Sequence, residues 1–157
     1  MILFSETKLA EDLRIGAVTE KEQVFYLLLV NLFIAVWTTN AVSHLFYDPG
    51  INIFDHLSDV VDLIATASMI IFSNLVNSRG NNRDFIARYV CLSVPIGIKG
   101  LILTVALAIF IGTMEVHLGK VEHGGGIPTL AAVLIVEIFL FSRYLVAFKI
   151  ASGQTRK

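Results

Sequence analysis

Hydrophobic and polar positions alternate along this chain in long blocks rather than at short period. Three apolar runs stand out at once: Leu57–Asn77, Arg88–Met114 and Ile127–Ile150. A fourth, Val24–Phe46, carries no formal charge but turns polar in its second half, through Trp37, Thr38, Thr39, Asn40, Ser43 and His44. A bilayer core is about 30 Å thick and a helix rises about 1.5 Å per residue, so ~20 apolar residues cross it. Each run is long enough. The pattern predicts an all-α membrane protein built as a four-transmembrane-helix bundle, with spans near 24–46, 57–77, 86–114 and 127–150. Residues 1–157 then form a single membrane domain, because four helices and their loops leave no room for a separate soluble one.

Residues 1–23 break the pattern. Leu9 and Leu13 lie one helical turn apart, with Glu11, Asp12 and Arg14 on the other sides. This spacing predicts a short amphipathic helix on the membrane surface. Acidic residues follow the first apolar positions, so the segment does not read as a signal peptide.

Within the spans, the positions that break the apolar pattern carry the candidate chemistry. Leu57–Asn77 holds one polar stripe: Asp59, Asp62, Thr66, Ser73 and Asn77 recur at steps that keep one helix face, with Asp55 just before and Met69 between. Val61, Ile64, Ile71 and Leu75 occupy the other faces and suit lipid. Such a stripe faces a bundle interior, a partner subunit or water. In Arg88–Met114 a lysine, Lys99, stands near the middle, flanked by Pro95, Gly97 and Gly100. Proline removes a backbone donor and small residues admit a neighbouring backbone, so these three form a candidate hinge. An ammonium at mid-span costs ~2.5–3.5 kcal/mol on insertion scales and needs a partner. Glu137, counted down the last span, falls at the depth of Lys99. The expected network is a Lys99–Glu137 pair with Asp62 and Asp59 as neighbours, while Arg143 reaches toward the cytoplasmic interface.

Charge placement sets the expected orientation. Apart from Lys99 and Lys120, every Lys and Arg lies in or near the termini and the Asn77–Asp84 connection. Positive residues stay cytoplasmic. Both termini are therefore expected in the cytoplasm, in an inner membrane, with the 47–56 and 115–126 loops outside.

Composition narrows the classes. The chain is 55% hydrophobic and 16% charged, below the ~25% charged of soluble domains. Its single cysteine, Cys91, excludes an internal disulfide or a CxxC motif. No GxSxG, HExxH, phosphate-loop or dinucleotide pattern occurs. His44 and His56 as haem ligands, or Glu115, His117, Glu122 and His123 as metal ligands, lack ligand spacing. No enzyme, cofactor, metal or nucleic-acid partner is expected.

Two function classes remain. One is a homo-oligomeric channel for cations or protons, with Asp residues ringing its mouth. The other is a non-catalytic partner of another membrane protein: an immunity protein against a pore-forming toxin, an anti-phage membrane component, or an assembly subunit. Arg88 and Tyr89 opening the third span, with Lys99 three turns later, resemble the small phosphate-starvation-inducible membrane proteins. That resemblance covers one span and transfers no function or site.

Overall fold

A computed structural model describes residues 5–38, 53–117 and 127–154; the side chains of 33–38, 54–56, 115 and 116 are outside the description. Five helices are present: α1 Glu6–Arg14, α2 Glu20–Thr38, α3 Ile53–Arg79, α4 Phe85–His117 and α5 Ile127–Ala151.

Local chemistry sets several of these boundaries. Ser5 caps α1 by accepting from the Lys8 amide. The helix ends where Gly16 takes a left-handed φ of 73°. There the Gly16 amide bonds the Leu13 carbonyl (3.4 Å) and the Ala17 amide bonds the Asp12 carbonyl (2.8 Å), a Schellman close. α5 ends the same way at Gly153, whose φ is 81°. Thr19 and Glu22 open α2 with a reciprocal capping box: the Glu22 carboxylate accepts from the Thr19 amide at 2.9 Å, and the Glu22 amide donates to the Thr19 hydroxyl at 3.4 Å.

Three helices are long and apolar enough to cross a membrane: Leu57–Arg79, Phe85–Met114 and Ile127–Ala151. The expectation of four is corrected to three among the described residues. The described part of α2 starts with Glu20, Lys21 and Glu22, and its uncharged stretch runs only from Gln23 to Thr38, about 24 Å. The polar half of the first expected span, with Asn40, Ser43 and His44, lies outside the described residues, as does the turn around Asp48-Pro49-Gly50. α3 begins at Ile53, earlier than the sequence suggested, and takes in Asp55 and His56.

α5 is the central helix. α3 packs on it from one side and α4 from the other, while α3 and α4 hardly touch each other. α2 covers the outer side of α4, and α1 lies over the α4–α5 seam. The α3–α4 turn is short, yet α5 separates the two helices; the C-terminus of α5 seats in the turn itself. The Asn81 amide donates to the Ser152 carbonyl (3.1 Å) and the Gln154 side chain to the Val76 carbonyl (2.7 Å). A Cβ on Gly80 would lie against the Ser152 backbone oxygen, so only glycine allows this approach.

The core sits toward this end of the bundle. Cys91, Leu92, Val94 and Ile96 of α4, Tyr144, Ala147 and Phe148 of α5, Tyr26 of α2 and Leu9 and Ala10 of α1 are buried there. Beyond Lys99 the pattern inverts. Ile102, Ile109 and Phe110 of α4, Ile135 and Ile138 of α5 and Leu63 and Ile64 of α3 are exposed. An apolar surface of this kind suits lipid.

Candidate functional site: a carboxylate between two cations

α1 reads as an amphipathic helix, and its apolar face carries one misfit. Glu6, Leu9, Ala10 and Leu13 share that face by 3–4 spacing. Glu6 is as buried as its apolar neighbours; its side chain is 3% exposed. One carboxylate oxygen bonds the Lys99 ammonium of α4, and the other bonds the Arg143 guanidinium of α5. One acid thus joins three helices. Lys99 and Arg143 keep 31% and 37% of their side chains exposed, so the cations are only partly withdrawn from their surroundings. Two cations and one anion leave the cluster with a local charge of +1. The Nε of Arg143 is buried and has no hydrogen-bond partner among the described residues.

This corrects the expected Lys99–Glu137 pair. The register of α4 against α5 supplies the reason. Gly100 meets Leu140, where a Cβ would fall 2.7 Å from Leu140 Cδ2, and the Tyr144 hydroxyl donates to Ser93 at 2.7 Å. The Gly100–Leu140 approach puts Lys99 level with about residue 141, and the Glu6 carboxylate that Lys99 and Arg143 share brings the ammonium to Arg143 rather than to Glu137. Arg143, expected to extend toward the cytoplasmic interface, bonds Glu6. The amphipathic helix does not merely rest on a surface, because its first residue enters the bundle.

Glu137 has a different neighbour. The Asp62 carboxyl of α3 lies within electrostatic reach of it, and Asp59 stands one turn before Asp62 on the same helix. Its Oε2 is buried without a hydrogen-bond partner among the described residues.

The α3 stripe divides into two halves. Met69, Ser73 and Asn77 are buried against the bundle, and Ser73 Oγ has no partner among the described residues. Asp59, Asp62 and Thr66 are exposed, and the Asp55 side chain lies outside the description. Asn77 is spent on structure. It accepts from Arg88 at 2.7 Å and donates to the Arg83 carbonyl at 3.3 Å; Arg88 also reaches Asn81 at 2.5 Å. The buried Arg88 ties the end of α3 and the α3–α4 turn to the start of α4.

The hinge candidates also separate. α4 runs through Pro95 as one helix. Gly100 provides the close approach to α5, whereas a Cβ on Gly97 would meet nothing within 4 Å. The Tyr89 and Tyr144 rings stack at 5.2 Å, nearly two turns before Pro95 on α4. Of the histidine and loop candidates, His44, Glu122 and His123 lie outside the described residues, as do the side chains of His56 and Glu115.

Glu6 could have been found from sequence. An acid on the apolar face of a short helix is as much a misfit as a lysine inside a span, and each signals a need for the other.

Helices of this length and apolarity, arranged around a buried ionic cluster, define a small all-α polytopic membrane protein. No family model, no curated protein and no solved structure matches the chain.

Proposed function

We propose that this protein conducts protons across the membrane as a homo-oligomer, with Asp59 and Asp62 at one mouth and Glu137 as the interior relay. One observation carries the reading: a buried carboxylate oxygen of Glu137 has no hydrogen-bond partner among the described residues, and the Asp62 carboxyl of α3 lies within electrostatic reach of it. Acids so placed inside a span mark ion pathways and proton relays. Two neighbouring carboxyls that cannot neutralise each other call for water, a cation or a proton. The end bearing Arg79, Arg83 and Lys149 would face the cytoplasm, since basic residues stay on that side.

Purified protein in liposomes tests this. A pH-sensitive dye inside the vesicles should report proton entry under an imposed potential. Asp62→Asn and Glu137→Gln should each suppress it. Arg79→Cys and Lys120→Cys, labelled from opposite sides, establish the direction of insertion. Absence of any leak with folded, inserted protein would refute conduction and leave the partner-protein reading in its place.

A further inference from the structure

The cluster of Lys99 and Arg143 has the composition of an oxyanion site, and its present occupant belongs to the chain itself. Two cations from two helices converge on one carboxylate. A carboxylate uses this site incompletely. It takes Nη2 of Arg143 with one oxygen and Lys99 with the other, so Arg143 Nε keeps a buried N–H that has no partner among the described residues. A tetrahedral oxyanion has more oxygens to offer. It could accept from Nε and Nη2 together, in the bidentate geometry that guanidinium favours with phosphate, and from the Lys99 ammonium at the same time. It would also answer the uncompensated positive charge that a single carboxylate leaves.

We propose that Lys99 and Arg143 form a phosphate-binding site and that Glu6 is a tethered, displaceable substitute for that ligand. α1 is suited to leave. It has nine residues, too few to persist alone in water, and it is held to the bundle by Glu6, Leu9, Ala10 and Leu13. Its C-terminal Gly16, with a φ of 73°, offers a pivot before α2. The partial exposure of both cations gives a ligand access to them without unfolding α4 or α5. The phosphate has two possible sources, an anionic lipid headgroup or free phosphate in solution. Counted from Met114 and from Ile127, Lys99 and Arg143 lie roughly 22–24 Å along their helices, about three quarters of the way through a ~30 Å core. Long basic stems bridge such a remaining gap to the headgroups. The site stands on the cluster's geometry and is independent of proton conduction.

Hydrogen exchange of the backbone amides of residues 6–14 reads whether α1 is docked. The full-length protein is placed in nanodiscs of phosphatidylcholine, of phosphatidylcholine with phosphatidylglycerol, and of phosphatidylcholine with millimolar sodium phosphate in the buffer, all at matched ionic strength. A ligand present at ten times its dissociation constant enlarges the undocked population about tenfold, so exchange in α1 should quicken by that factor. Quickening in phosphatidylglycerol alone identifies a lipid headgroup; quickening with sodium phosphate identifies a free oxyanion; either supports the site. Arg143→Lys keeps the charge that holds Glu6 but removes the fork, and should blunt the response. Glu6→Gln, which loosens α1 without any ligand, shows that the readout works. If Glu6→Gln quickens exchange and neither phosphate source does, the proposal fails. It fails equally if Arg143→Lys responds as fully as the unmodified chain, because the effect would then be one of bulk charge.

Discussion

Glu6→Gln isolates the contribution of the buried carboxylate. The substitution keeps size and one acceptor oxygen but removes the charge shared by Lys99 and Arg143. A hydrogen bond to a charged group contributes ~1.5–3 kcal/mol, and breaking a buried ion pair costs roughly 3–5 kcal/mol because a charge is stranded. Here two cations are stranded, but each is about a third exposed and regains some solvation. The expected loss is therefore ~2–4 kcal/mol, at the low end of a buried pair. It should fall on the docking of α1 rather than on the whole bundle, since α1 can open locally. At 1.4 kcal/mol per tenfold, amides of residues 6–14 should exchange roughly 30- to 700-fold faster. Glu11→Gln is the control. Glu11 pairs with Arg14 one turn away on the exposed side of the same helix, a contact contributing at most ~0.5 kcal/mol. Replacing all three cluster residues with methionine should recover much of the loss, because no charge is left stranded. The loss in Lys99→Met should not be rescued by adding Glu137→Met, the two changes adding independently because these residues are not partners. If Glu6→Gln exchanges within about threefold of Glu11→Gln, the carboxylate does not hold α1 and the reasoning is wrong.

Two further perturbations follow from the same structure. Gly80→Ala places a methyl against the Ser152 backbone oxygen and should lower thermal stability in detergent by the ~1–3 kcal/mol typical of overpacking, whereas Gly97→Ala, with open space around it, should be neutral or gain up to ~1 kcal/mol of helix propensity. The capping box at Thr19 and Glu22 should respond to acid. The Thr19 amide and hydroxyl hold the Glu22 carboxyl below its ordinary value of 4.5, so its contribution is complete above that pH and is lost as pH falls through the lower folded-state value. Backbone exchange at the start of α2, corrected for its intrinsic pH dependence, should therefore rise on acidification in the natural chain, and stay flat in Glu22→Gln, which retains the acceptor but does not titrate.

Much of the architecture was readable because a membrane solvent makes few demands on sequence and makes them plainly. Apolar runs of sufficient length mark α3, α4 and α5, and their ends fall within a few residues of the places where charge returns. The inner half of the α3 stripe, Ser73 and Asn77, was legible for the same reason: a polar residue at helical spacing in an apolar run has to face protein. Partner choice was not legible. Counting from span ends gives a depth for Lys99 and Glu137, but the register between α4 and α5 is set by Gly100 against Leu140 and Ser93 against Tyr144, contacts that no periodicity announces. A shift of about one turn, ~6 Å, is enough to trade one ionic partner for another.

The missed partner shows which signal outweighs depth. Lys99 violates the pattern of α4, and Glu6 violates the pattern of α1; each is costly where its own helix puts it. Arg143 sharpens the point, because its arrival beside Lys99 brings two like charges together and makes an anion obligatory. Glu137 was the nearer candidate by counting, but Asp62 also approaches it, and it answers to its own surroundings on the α3 side. Glu6 sits at the first turn of a helix short enough to move as a unit, on the one face that must be buried if the helix is to pack at all. Burying that face without a cation would strand a carboxylate, and closing the α4–α5 seam without an anion would strand two bases. Each burial is tolerable only if the other occurs. α1 therefore belongs to the bundle through Glu6 as much as through Leu9 and Ala10, and anything that neutralises Lys99 and Arg143 in its place frees it to leave.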